Sequence, residues 1–195
     1  MNVIDLLKKD HDTVAELFKS FESAKEAEET ESCQQVARQI CEELTIHATV
    51  EEELFYPALD AKAQDQDDED AEDKVKEADE EHRLVKALVG EIEAMKATDD
   101  HFEAKVKVLK DVVEHHVEEE EGELMPKAKK LLSKEELEQL GSQVEARKDE
   151  LKATGGKPAK RPASRTRQSV RRAPALPRRA RTGNKSSRTR GQSGR

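Results

Sequence analysis

Tryptophan is missing from this 195-residue chain, and aromatic residues of every kind make up only 3% of it. Sheet proteins fill their pleated faces with aromatic and β-branched side chains, so this shortage argues against a sandwich or barrel. Long apolar runs are missing as well. No stretch approaches the roughly 18–20 residues needed to cross a bilayer, and Met1–Asp10 lacks the character of a signal peptide. A soluble protein of the cytoplasm is the expectation. The two cysteines are too few for a disulfide framework. Eight residues apart on one helix, Cys33 and Cys41 stand about 12 Å apart, outside disulfide reach, and read as reduced thiols.

Charge is what the chain has in abundance, at 41% of residues, and it is divided. All 44 Asp and Glu lie at or before Glu150, alongside 20 Lys and Arg, for a net −24. From Lys152 onward 15 Lys and Arg meet no acid, a net +15. Thr154-Gly155-Gly156-Lys157-Pro158 marks the change of composition. The stretch 152–195 is rich in Pro, Gly, Ser and Arg and cannot bury enough surface to offset its ordering entropy, so disorder is expected there. Its Arg171-Arg172 and Arg178-Arg179 pairs, with no aromatic to stack on bases, suit sequence-independent attraction to phosphates. Nucleic acid or another polyanion is the expected partner, and the tail would tether the acidic body to nucleoid DNA. A solubilising tail, or one drawn to its own acidic body at low salt, is the competing reading.

The acidic body reads as four amphipathic helices, because apolar residues recur at three- and four-residue intervals. The stripes are Ile4, Leu7, His11, Val14, Phe18; Ile40, Leu44, His47, Glu51, Leu54, Ala58; Val75, Ala78, His82, Val85, Val89; and Phe102, Val106, Leu109, Val113, His116, Glu120. Short loops between long helices imply an all-α, up-down-up-down four-helix bundle over residues 1–132. Thr98-Asp99-Asp100 is expected to cap the fourth helix. Ser133 and Glu136 form a capping-box pattern that opens a short fifth helix over 133–151. The chain also repeats: His11 recurs 71 residues later as His82, and His47/Glu51 recurs 69 residues later as His116/Glu120. Each half is one helical hairpin.

The stripes carry six polar residues where Leu or Val belongs: His11, His47, Glu51, His82, His116 and Glu120. A histidine and a glutamate four residues apart share one face of a helix, so both can reach one object on the bundle axis. Burying two carboxylates costs several kcal/mol each unless a positive charge compensates them. The stripes hold no Lys or Arg, so a metal is the expected source of that charge. Four imidazoles and two carboxylates exceed what one tetrahedral zinc takes. They suit two first-row ions, and nitrogen and oxygen donors without thiolate favour iron or manganese.

This ordered set, a single His, a His-x-x-x-Glu, a second His and a second His-x-x-x-Glu, resembles the hemerythrin-like HHE cation-binding family. The resemblance implies a non-haem di-iron centre with a bridging oxygen, its ligands His11, His47, Glu51, His82, His116 and Glu120. Oxygen-carrying hemerythrins place a His-x-x-x-His on the third helix. Here the position four after His82 is Lys86, so the resemblance points towards sensors or handlers of iron, oxygen, peroxide or nitric oxide.

Other residues receive plainer readings. His101 and His115 fall off the stripes and read as surface. Glu52, Glu53, Glu118, Glu119 and Glu121 read as solvated, although Glu52 and Glu121 are placed to orient ligand histidines from behind. Tyr56 either tunes the site or packs beside it. Pro57 and Pro126 should kink or end their helices. The acidic run Asp65–Asp73 lacks the glycine and terminal glutamate of an EF-hand and reads as a linker. No catalytic residue is assigned. A sensor or binding protein for small molecules, a peroxide-decomposing enzyme, and an iron-handling or structural DNA-associated bundle all remain open.

Overall fold

The computed structural model describes residues 1–154, and all the regular structure among them is helical. The first rod, α1 (Val3–Glu26), starts behind Asn2, whose side chain accepts from the Asp5 amide. The second, α2, is continuous but composite: an α-helical stretch Thr30–Val50, a π turn Glu51–Phe55, and a second α-helical stretch Tyr56–Asp65. Asp68 caps α3 (Glu69–Glu93) by accepting from the Ala71 amide. The build of α2 recurs in α4, with Phe102–Glu119, a π turn Glu120–Leu124, and Met125–Leu131. The expected capping box opens α5 (Lys134–Ala153): the Glu136 amide donates to Ser133 Oγ at 3.2 Å and the Ser133 amide to Glu136 Oε2 at 2.8 Å. Rods α1 to α4 form the up-down-up-down bundle, and α5 packs on α1 and α2. It runs two residues past the expected end at 151. The expectations of disorder and nucleic-acid attachment fall, from residue 155 on, outside the described residues.

Two local expectations are corrected. No side chain caps α4; Asp99 instead accepts from the Lys96 amide and closes the preceding turn. On α2 the buried residues after Glu51 are Phe55, Tyr56, Leu59 and Ala63, while Leu54 and Ala58 lie at the margin. The π turn is the cause. The Tyr56 amide bonds back five residues to the Glu51 carbonyl, and the Met125 amide does the same to Glu120. One extra residue in the turn advances the following stretch by about 100°. The same device sets Pro57 and Pro126 at the start of a fresh α-helical stretch, the position in a helix that proline tolerates best. Neither proline ends its rod.

The apolar interior is split in two. One cluster joins Phe18, Phe21, Ile40, Val89, Phe102 and Leu109. The other joins Ile4, Leu7, Phe55, Leu59, Leu124 and Met125 and is closed from outside by Leu137, Leu140 and Val144 of α5. Each fully buried leucine contributes about 1.5–3 kcal/mol. Between the clusters lies a layer of buried polar groups contributed by all four rods. Cys33 and Cys41 are both free and buried on α2.

Candidate metal centre

All six stripe residues meet in that layer, and all are buried. The four imidazoles turn Nε2 inward. His11 Nε2 and His47 Nε2 are 3.2 Å apart, as are those of His82 and His116. Two nitrogen donors on one first-row ion, each about 2.0–2.1 Å from it, stand about 3 Å apart. Glu51 spans both pairs, its Oε2 lying 3.1 Å from His47 Nε2 and 3.2 Å from His82 Nε2. Glu120 leans to one side, with Oε2 3.2 Å from His11 Nε2 and 4.0 Å from His116 Nε2. The donors thus fall into two sets: His11, His47, Glu51 and Glu120, and then Glu51, His82 and His116. The Tyr56 hydroxyl stands beside the second set, 3.3 Å from His82 Nε2 and 3.5 Å from Glu51 Oε2. The π turn puts it there, five residues from Glu51.

Each imidazole is braced from behind by a carboxylate. His11 Nδ1 is 2.8 Å from Glu121 Oε1, and His82 Nδ1 is 3.2 Å from Glu52 Oε1, each acid coming from the opposite hairpin. His116 Nδ1 is 2.8 Å from Glu81 Oε2. Asp10 Oδ2 faces His47 Nδ1 at 3.5 Å, beyond a directed hydrogen bond. A carboxylate on Nδ1 holds the proton there and leaves the Nε2 lone pair to point inward. Three of the four acids are anchored in turn by ammonium groups: Lys8 on Glu121, Lys148 of α5 on Asp10, and Lys86 on both oxygens of Glu52 at 2.6 and 2.8 Å. Glu52 and Glu121 thus orient histidines, as their positions allowed. Asp10 and Glu81 were not anticipated, though each directly precedes a stripe histidine and one repeats the other at the 71-residue offset. His101 and His115 are exposed, as expected.

The electrostatics mark the layer as short of positive charge. Burial and the neighbouring Glu120 charge push the Glu51 carboxyl well above its ordinary range. Burial also opposes ionisation of Glu120, but its contact with His11 and the charges of His116 and His47 prevail and hold it down to about 2. Burial works against charge on His11, yet Glu120, Glu51 and Glu121 raise it to about 9. His47, buried beside His11, is pushed down to about 4. Glu51 Oε1 and both oxygens of Glu120 accept no directed hydrogen bond. Buried carboxylate oxygens without donors cost about 1–3 kcal/mol each; a cation among the four inward nitrogens would answer that deficit and take the place of the proton His11 holds. The donor set fits a pair of first-row ions. Directly beside it lies a cavity of about 20 Å³, walled by Val14, Leu44, Ala48, Val85, Val113 and Val117 together with the imidazoles.

Comparison with known proteins agrees with this geometry. The family model described as the hemerythrin HHE cation-binding domain matches residues 2–128. A DNA nickase of the cyanobacterium Nostoc is 29% identical over 151 residues; these are 77% of this chain but only 40% of the nickase. An uncharacterized hemerythrin-like protein of Schizosaccharomyces pombe is 28% identical over 146 residues, 75% of this chain and 68% of the yeast protein. The crystal structure of a hemerythrin HHE cation-binding domain protein from Mycobacterium kansasii superposes with a TM-score of 0.66 at 25% identity, over 79% of this chain and 89% of that one. No helix among the described residues is long and apolar enough to cross a membrane. The chain belongs to the hemerythrin HHE cation-binding domain family.

Proposed function

We propose that the chain holds two iron ions on His11, His47, Glu51, His82, His116 and Glu120, and that this centre binds or senses dioxygen, nitric oxide or peroxide. One observation carries the reading: two nitrogen pairs sharing a carboxylate open onto an apolar cavity of about 20 Å³, room for a molecule of a few atoms. Bound iron supplies an open coordination position and redox chemistry. The valines and Leu44 exclude water, and the four braced imidazoles keep their orientation through changes of charge at the centre. The test is metal analysis joined to an optical spectrum. Two irons per chain, and charge-transfer bands that shift on adding nitric oxide or azide, are expected; a chain purified from iron-replete cells without stoichiometric iron refutes the reading.

Tyr56 favours a second reading, peroxide breakdown. Its hydroxyl is the one phenol at the centre, and burial beside Glu51 and Glu120 raises it well above the ordinary range, so it keeps its proton at neutral pH. It is thus placed to deliver a proton to a departing oxygen. Oxygen evolution from peroxide over many turnovers, lost in Tyr56→Phe with iron content intact, supports this reading; no turnover in iron-loaded protein excludes it.

The 15 bases from Lys152 onward, and the printed name of the Nostoc relative, support attachment of the tail to nucleic acid. A steep fall of DNA affinity with salt, absent from a chain ending at Thr154, is expected. Equal binding by both forms refutes the attachment.

A further inference from the structure

The two hairpins repeat each other, yet only one leaves its flank open. At the 69-residue offset, His115 and Glu119 of α4 correspond to Ile46 and Val50 of α2. Ile46 and Val50 are fully buried in the cluster that α5 closes. Among the described residues no helix covers the matching place on α4. His115 is 63% exposed there, with its Nε2 3.5 Å from Glu119 Oε1 and 3.7 Å from Glu81 Oε1. Donor atoms of these three residues all lie within 4.8 Å of one another. Glu81 faces two ways: Oε1 towards His115, Oε2 onto His116 Nδ1. Against two of the three lies a narrow cleft of about 10 Å³, lined by Glu81, Glu119, Lys74 and Leu124 together with His116 and Glu120 of the centre. The Glu120 side chain is 1% exposed, and both its oxygens lack a hydrogen-bond donor.

We propose that Glu81, His115 and Glu119 form an outer capture site for a divalent first-row cation, and that the cleft behind them is the route by which ions enter the centre. The inference rests on the metal centre proposed above. One imidazole and two carboxylates make a nitrogen–oxygen donor set suited to such ions, and one exposed and two half-buried ligands with water completing the shell hold one only briefly. Lys74 competes for Glu119 at 3.8 Å but sits closer, at 2.9 Å, to both Glu77 and Glu123, so an arriving ion displaces its weakest contact. The unpartnered oxygens of Glu120 then offer the next and more buried ligand.

Mixing the full-length metal-free chain with Co2+ in a stopped-flow instrument, and following the d–d absorbance of the bound ion, tests the route. The double variant His115→Ala/Glu119→Gln is expected to reach the wild-type stoichiometry of two ions but at least about tenfold more slowly, the smallest gain that focused charge gives an on-rate. Glu118→Gln, which removes a charge one residue away on the exposed face, is expected to load at the wild-type rate. Wild-type loading kinetics in the double variant, or equal slowing by Glu118→Gln, overturns the route while leaving the centre standing. A wild-type chain that takes up no ion overturns the centre and the route together.

Discussion

Glu51→Gln separates the cost of the buried layer from its purpose. In the metal-free chain burial and the Glu120 charge hold the Glu51 carboxyl well above the ordinary value of 4.5 that it keeps in the unfolded chain. Every pH unit over which the folded chain retains this proton and the unfolded chain has lost it costs about 1.4 kcal/mol. Glutamine has the same shape and carries no such penalty. Because the folded value is raised, the contribution of Glu51 is at its best below pH 4.5 and is lost as pH rises. The variant's advantage thus grows as pH rises above 4.5 and vanishes below it. Urea denaturation with a chelator present, followed by circular dichroism, is expected to show metal-free Glu51→Gln more stable than wild type at pH 7. Under anaerobic Fe2+ the order is expected to reverse: wild type gains about 3 kcal/mol when free iron is a hundredfold above its dissociation constant, and the variant, without the carboxylate that spans both histidine pairs, gains little. A metal-free variant less stable than wild type at pH 7, or one that gains as much from iron, refutes the reasoning.

Glu120→Ala is expected to strip iron from the chain while His101→Ala leaves two irons per chain, as elemental analysis of the purified proteins would read. Asp10→Asn and Glu81→Gln loosen the bracing of His47 and His116 and are expected to weaken metal binding about 10- to 100-fold in chelator competition. At Gly141 an added Cβ would overlap the Met1 carbonyl oxygen and stand 3.0 Å from the Val3 nitrogen. Gly141→Ala is therefore expected to destabilise by about 1–3 kcal/mol, although alanine normally favours a helix by about 1 kcal/mol; a raised melting temperature contradicts the close packing. Burial pushes the Cys41 thiol up to about 12, so iodoacetamide at pH 8 is expected to modify it only after denaturant is added, as mass spectrometry would detect.

The bundle was legible because its stripes are long and regular, and the centre was legible because six polar residues interrupt those stripes in helical phase. The capping box at Ser133 could be read from two residues alone. The π turns could not. A period of 3.6 carries no mark of one inserted residue, and the only hint was a proline ten residues after each His47-type histidine. Leu54 and Ala58 were therefore placed where Phe55 and Leu59 stand. Asp10 and Glu81 escaped notice because they lie off the stripes and reach sideways to a histidine on the neighbouring rod, a relation that one helix's periodicity does not contain. At Asp99 a residue type suited to capping was used to close a turn, a choice made by the path of the chain rather than by its composition.

The split interior bears on how the duplicated chain assembles. Phe18 and Ile40 of the first hairpin find their neighbours in Val89 and Leu109 of the second, and the opposite clump is shared in the same way. Each cluster draws side chains from both hairpins, so a fragment holding one of them alone leaves the inner face of its half uncovered. Duplication here has not produced two independent units. It has produced two halves that become solid only when they meet.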